Sequence, residues 1–475
     1  MKAGVSMPNP SARWAQALSR SDKPAYLALA EIIAEDVQTG RLAANQYLPP
    51  LRSLAGALKL NFTTVARGYA EAQRQGFVDA RPGRGTYVRE LVHAGPVRRP
   101  IAAAPIDMTM NMPPEPADRA LLQRLREGLA GLADDDVYGL LRYQEFGGTL
   151  HDREAGAQLL SEFVPEVTAD RVVVCPGVQS ALAGLFTALA RAGDTVACEA
   201  ITYPGIRGLA TQLGIRLVGL PADDEGIDPD AFAALCATDP PRALYCNPTL
   251  LNPTTAVMSL ARREAVVEIA RRYSIPIIED DAYAHLPVRR PRSLASLAPE
   301  LVFYTTGLAK ILGAGLRIGY IATPNARYTA RVSAALRTSV IMASPFMMRL
   351  ATRFIEDGTL QLAVRVMRQE TRARQKLAAE ILNPRSGGAP SARLSYVSKP
   401  EAFHLWLQVP PPWNRIELAS HLRLMGVGVV VSDTFTVAGP PPECVRVGLG
   451  GCGSLEDCRH LLEIIVDASR DHRPG

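Results

Sequence analysis

Lys310, Arg317, Asp280, Asp281 and Tyr283 fall within forty residues of one another, and together they carry an unusual set of chemical abilities. A lysine amine can condense with an aldehyde to a Schiff base, and a buried carboxylate can keep a ring nitrogen protonated. A guanidinium is a planar fork that matches phosphate oxygens, and an aromatic ring can lie against another ring. The four types are what a chain needs to hold a phosphorylated aromatic aldehyde. A lone lysine is usually a surface charge, so the surrounding pattern carries the weight.

Lys310 closes Thr305-Thr306-Gly307-Leu308-Ala309-Lys310 and is followed by Gly313, Gly315 and Arg317-Ile318-Gly319. Asp280 follows the apolar run Pro276–Ile278 and Glu279, at the carboxyl end of an expected strand, where ligand-binding residues gather in open α/β sheets. Tyr283 stands three residues on, and that spacing favours Asp280 over the adjacent Asp281. Cys175-Pro176-Gly177-Val178-Gln179-Ser180 turns from the strand Val172–Val174 into a helix whose first amides can cradle an anion. Tyr203 lies in Thr202-Tyr203-Pro204-Gly205, Asn252 in Leu251-Asn252-Pro253-Thr254-Thr255, and Arg446 in Cys444-Val445-Arg446-Val447-Gly448. Asn247-Pro248-Thr249 is a weaker competitor for the place of Asn252.

These segments resemble the fold-type I aminotransferases. The resemblance implies pyridoxal 5′-phosphate on Lys310, with Asp280 facing the ring nitrogen, Tyr283 and Asn252 at the ring oxygen, and Tyr203 stacked on the ring. It places the phosphate on Gly177, Val178, Gln179 and Arg317, and a substrate or effector carboxylate on Arg446. The pattern departs at Gly307 and Val178, where the family often has hydroxyl residues, and at Thr255, where it has glycine.

The amino-terminal part is a different kind of object. Between Arg41 and Glu90 eight basic residues face three acidic ones, which accounts for the whole formal charge of +5, so a polyanion partner is expected for this segment alone. Helical periodicity runs through Tyr26, Leu29, Ile33 and Val37; a second helix opens at Pro49-Pro50, and Thr63 is a candidate cap for a third carrying Val65, Tyr69 and Ala72. Two short strands follow, hinged at Pro82-Gly83. In a helix-turn-helix the second helix enters the major groove, which would present Thr63, Thr64 and Arg67 to bases and leave Arg52, Arg81 and Arg84 for phosphates. The segment Pro24–Val88 resembles the GntR-type winged helix in Gly40-Arg41-Leu42, Thr63-Thr64-Val65 and Gly83-Arg84-Gly85-Thr86-Tyr87-Val88. It departs at Pro50, where that family often has a capping serine.

Strand-like runs alternating with helical stretches after the Ala-, Pro- and Arg-rich segment 91–105 predict an α/β body with a mainly parallel sheet flanked by helices and a smaller carboxyl-terminal subdomain. The expected organisation is a tail (1–20), a winged helix-turn-helix (21–90), a linker (91–105) and an aminotransferase-like body (106–475). Seven scattered cysteines without a C-x-x-C pair point to reduced thiols and no metal, and the absence of a long apolar run or signal-like start predicts a cytoplasmic protein. Joined in one chain, head and body resemble the MocR-type transcriptional regulators. That resemblance implies a head-to-tail homodimer that binds an operator in double-stranded DNA and responds to an amine or amino-acid effector, or to the cofactor itself. A working aminotransferase with an appended DNA-binding module is the alternative.

Overall fold

The computed structural model describes residues 11–19, 21, 23–38, 41–43, 46–74, 77–81, 85–88, 106–383 and 394–470. Two compact units divide the chain, Met1–Ala102 and Ala103–Gly475. Arg84, the hinge Pro82-Gly83 and the segment 91–105 lie outside the described residues, as does the side chain of Arg81.

In the first unit the helices Ser11–Leu18, Ala25–Gln38, Leu51–Leu58 and Phe62–Arg74 precede an antiparallel hairpin of Val78–Arg81 with Gly85–Val88. One cluster of Leu29, Ile33, Leu54, Val65, Tyr69, Val78 and Val88 holds them together. Gly68 is needed where two helices cross, because a Cβ there would sit 2.9 Å from Leu29 Cδ2. The segment read as a tail holds a helix instead. Its Trp14 is fully buried in the head core, with Nε1 donating to Asp36 Oδ2 at 2.7 Å; the helix is short and follows unpatterned residues, so periodicity gave little warning of it. The expected cap at Thr63 is also corrected: the helix starts at Phe62, and Asn61 Oδ1 accepts from the Thr63 amide at 3.0 Å and the Thr63 hydroxyl at 2.9 Å. Pro50 precedes the helix Leu51–Leu58 without a side-chain cap, its carbonyl accepting from the Leu54 amide at 2.9 Å.

The second unit is built on a seven-stranded sheet in the order Val172–Cys175, Gly319–Ala322, Val302–Gly307, Ile277–Asp280, Ala243–Cys246, Thr195–Glu199, Arg216–Leu220. Only Gly319–Ala322 runs against its neighbours; the other pairings are parallel. Apart from the edge strand Arg216–Leu220, which is largely exposed or half-buried, both faces are buried, which is why these strands are mostly apolar runs rather than alternating ones. Side chains alternate along each strand, so Val172 and Val174 enter one core and Val173 and Cys175 the other. An antiparallel four-stranded sheet, Tyr396–Val397, His404–Gln408, Cys444–Gly448 and Val430–Val431, carries the smaller core. The helix Thr359–Leu382 joins the two, giving Leu360 and Val366 to the large core and Leu377 and Leu382 to the small one. The strand Ile106–Asp107 pairs in parallel with Val427–Gly428, so the start of the body is tied to its carboxyl-terminal part.

Candidate functional site

Asp280 is the last residue of its strand, and the pleat turns its side chain to the face that holds Tyr245 and Ile278. It is 3% exposed; Oδ2 accepts from the Tyr245 hydroxyl at 2.8 Å, while Oδ1 has no hydrogen-bond partner among the described residues. Burial pushes this carboxyl up to about 7, with the Tyr245 hydrogen bond and the charge of Lys310 opposing the rise. The neighbouring Asp281 turns the other way, accepting from the Tyr304 hydroxyl at 3.2 Å. Lys310 follows the strand Val302–Gly307 in a short 3-10 turn. Burial lowers its amine to about 8, helped by the charge of Arg446 and opposed by Asp280. An amine held there spends an appreciable fraction of time neutral near physiological pH and is a nucleophile. Its Nζ lies 5.7 Å from the ring centroid of Tyr283 and 5.9 Å from that of Phe403.

Gly177 precedes the helix Val178–Leu189 with φ +85, a conformation costly for a side chain, and its missing Cβ would stand 3.8 Å from Arg317 Cζ. The exposed Arg317 guanidinium therefore sits at a helix amino terminus whose first amides have no intrahelical carbonyl, an arrangement suited to a phosphate. Gln179 donates to the Gly205 carbonyl at 3.3 Å and accepts from the Tyr203 hydroxyl at 3.0 Å, so its side chain positions Tyr203 and only its backbone is placed for an anion. The two departures from the family pattern at this end are packed on each other. A Cβ at Gly307 would lie 3.0 Å from Val178 Cγ2, so the branched side chain at one position fills the space a hydroxyl residue would take at the other.

At the opposite end Arg446, 5% exposed, donates to Asn252 Oδ1 at 2.9 Å and to the Thr109 carbonyl. Asn252 is held by its amide on Asn247 Oδ1 at 3.0 Å, and Asn247 Nδ2 donates to the Asp280 carbonyl at 2.6 Å. Asn252 thus faces Arg446, while Asn247 ties two loops together. Thr255 adopts φ +60 where the family has glycine, so a β-branched residue stands in left-handed backbone. Four further residues at the site lacked a signal in the sequence. Asn111 donates to the Tyr283 hydroxyl at 2.7 Å and contacts His404 Nδ1 at 3.1 Å; burial and the nearby charges of Arg446 and Lys310 keep His404 neutral. Tyr245 holds Asp280, and Glu199 accepts from the Asn247 amide at 2.7 Å. They come from three separate strands and a loop, and only the fold brings them together.

In the head, Arg52, Thr63 and Arg67 are exposed and Thr64 is half-buried, on the helix pair Leu51–Leu58 and Phe62–Arg74. Arg67 lies over the Tyr26 ring at 4.2 Å from its centroid, which pre-orders a long side chain on the outer face. Tyr69 on the same helix donates to the Pro49 carbonyl at 2.8 Å and fixes the angle between the pair. Arg41 and Arg74, by contrast, are paired with Asp36 at 3.0 Å and Glu71 at 2.6 Å.

The aminotransferase class I and II family model matches residues 105–465, and the model for the bacterial regulatory proteins of the gntR family matches residues 25–88. The chain belongs to the aminotransferase class I and II family. With its GntR-type head it has the architecture of a MocR-type DNA-binding transcriptional regulator. The uncharacterized HTH-type transcriptional regulator YdeF of Bacillus subtilis is 28% identical, covering 95% of this chain and 96% of the relative. The probable rhizopine catabolism regulatory protein MocR of Rhizobium meliloti is 27% identical over 64% of this chain and 66% of its own. Among solved structures, the α-aminoadipate aminotransferase LysN of Thermus thermophilus, complexed with N-(5′-phosphopyridoxyl)-L-leucine, superposes with a TM-score of 0.68 at 21% identity, covering 77% of this chain and 92% of that one. That similarity establishes the fold of this MocR-type body. Among the described residues, no helix is long and apolar enough to cross a membrane.

Proposed function

We propose that the body holds pyridoxal 5′-phosphate at Lys310, binds an amine or amino acid there, and passes the liganded state to the head on duplex DNA. The observation that carries this reading is the buried Asp280, whose Oδ1 has no hydrogen-bond partner among the described residues and whose carboxyl is pushed up by burial against the opposing charge of Lys310. A protonated ring nitrogen is the group that such a carboxylate lacks.

In this reading Arg317 and the amides of Gly177, Val178 and Gln179 hold the phosphate, Tyr203 covers the ring, Tyr283 and Asn252 meet the ring oxygen, and Arg446 clasps a carboxylate. When bound, the cofactor supplies an aldehyde with which amines condense. Lys310, with its amine lowered to about 8, gives or takes a proton near neutral pH. The Asn111 amide, itself held on the neutral His404, orients the Tyr283 hydroxyl. Thr63, Thr64 and Arg67 read base edges, with Arg52, Arg81 and Arg84 on phosphates. Sensing requires that the effector bind two conformations of the body unequally. A homodimer in the cytoplasm, with two heads on two half-sites, completes the proposal.

The test is absorbance of the purified protein with added pyridoxal phosphate, followed by titration of amines and DNA footprinting with those that change the spectrum. A protein that takes up no cofactor overturns the reading of the body. The lowered amine of Lys310 also suits a group that shuttles a proton between turnovers, so a working aminotransferase is the second reading. Sustained keto-acid formation from an amino donor would favour it.

A further inference from the structure

The residues that begin the body run through the site as a strap. Ile106–Asp107 pairs with Val427–Gly428, the Gly448 amide donates to the Met108 carbonyl at 3.1 Å, and the chain then passes between Arg446 and Lys310. Arg446 donates to the Thr109 carbonyl, and Lys310 Nζ donates to the Asn111 carbonyl. The two cations expected to meet a ligand's carboxylate and to carry the cofactor are therefore both engaged by backbone oxygens of one five-residue segment. The Asn111 side chain latches it through Tyr283 and His404. Its own Oδ1 is buried without a partner among the described residues, in a residue only 8% exposed, so the latched arrangement leaves one acceptor unsatisfied.

We infer that the strap Met108–Met112 is the site's internal ligand, displaced when the cofactor takes the place of the Asn111 carbonyl at Lys310 and the carboxylate of an amine joined to that cofactor takes Arg446, and that this displacement is the signal sent toward the head. The inference rests on the pyridoxal reading and extends it to regulation. A carboxylate outcompetes a neutral carbonyl for a guanidinium because both partners are charged and the pairing is bidentate. The strap is joined to the segment 91–105 through Ile106–Asp107, so its release pulls on a strand that lies on the covalent path to the head. Ligands are then sorted by charge: an amine without a carboxylate leaves the Thr109 carbonyl on Arg446.

Two stable probes isolate the carboxylate. N-(5′-phosphopyridoxyl)-L-alanine and its decarboxylated counterpart, N-(5′-phosphopyridoxyl)ethylamine, are added to the full-length cofactor-free protein; binding is followed by fluorescence and strap exposure by amide hydrogen exchange. The alanine adduct should raise exchange across Met108–Met112 by about tenfold, and the ethylamine adduct far less. In Asn111→Ala, affinity for the alanine adduct should rise by about tenfold, because two side-chain hydrogen bonds no longer hold the occluded state. Gly450→Ala loosens the strap from another side, since its Cβ would lie 1.8 Å from the Met112 carbonyl oxygen, and it should act in the same direction. Tight binding of the alanine adduct with unchanged strap protection overturns the inference and leaves the cofactor site standing; so does weaker binding in both variants. Failure of both adducts to bind overturns the site and the strap together.

Discussion

Asp280→Asn should stabilise the cofactor-free protein and weaken its hold on the cofactor, and the two effects have separate origins in one buried carboxyl. Burial raises the Asp280 pKa from 3.8 to about 7 in the fold. Because the folded value lies above the unfolded one, the group favours folding fully below about pH 4 and loses that contribution as pH climbs through 7. At about 1.4 kcal/mol per unit, the loss between pH 5 and pH 8 comes to about 3 kcal/mol. Asparagine keeps an oxygen for the Tyr245 hydroxyl and does not titrate. The variant should therefore gain about 3 kcal/mol over wild type across that pH range. Glu199, also pushed up to about 7 by burial, titrates in both proteins and largely cancels in the difference.

The assay is urea unfolding of the cofactor-free chain in a Trp14→Phe background, which leaves Trp406 and Trp413, both in the body, as reporters. With pyridoxal phosphate present the sign reverses. Losing a charge-assisted hydrogen bond to the ring nitrogen should cut affinity by about 10- to 100-fold at neutral pH. Parallel stability curves for the two proteins would refute the buried, ionisation-resistant carboxyl, and equal cofactor affinities would refute its place at the ring nitrogen.

Lys310→Ala should abolish the visible absorption that pyridoxal phosphate gains on binding the protein, and a retained band would move the attachment to another amine. Arg67→Ala should weaken operator binding by about 1 to 3 kcal/mol and relax sequence preference at the contacted base, while cofactor uptake stays as in wild type. Trp14→Ala should cost about 3 to 5 kcal/mol in the head through the cavity it leaves, with loss of the hydrogen bond to Asp36 adding to it. Thermal unfolding of the head alongside an unchanged body transition checks that it acts locally.

Much of this arrangement is legible in the chain, because the chemistry demands residue types at turns that the fold fixes. Asp280, Gly177 and Lys310 sit at or just after the end of a strand and Arg317 just before the start of another, and strand boundaries are what apolar runs beside glycine or charge announce. Asn111, His404 and Tyr245 are illegible for the opposite reason: each is an isolated polar residue whose meaning comes from a partner 35 to 293 positions away. Trp14 was hidden likewise, since a helix of eight residues offers too few turns for a pattern.

Glu279, Asp280 and Asp281 show how the pleat selects one of three adjacent acids for a ligand. Glu279 points to the face of Arg263, whose Nη1 approaches it at 3.4 Å, and it also accepts from the Leu294 and Ala295 amides at 3.0 and 2.8 Å. Its charge is met within the protein. Asp281, just beyond the strand, is held by Tyr304 and lies under the field of Arg263. Asp280 alone of the three faces the side of Tyr245 and Lys310, with the Tyr245 phenol on Oδ2 and the Ala282 backbone also favouring its charge. A one-residue slip of Ile277–Asp280 would exchange the roles and bring into the site a glutamate severed from its arginine. The strand cannot slip without burying unpaired charges on both faces, so the packing that secures the core also fixes which carboxylate is left for a cation from outside the chain.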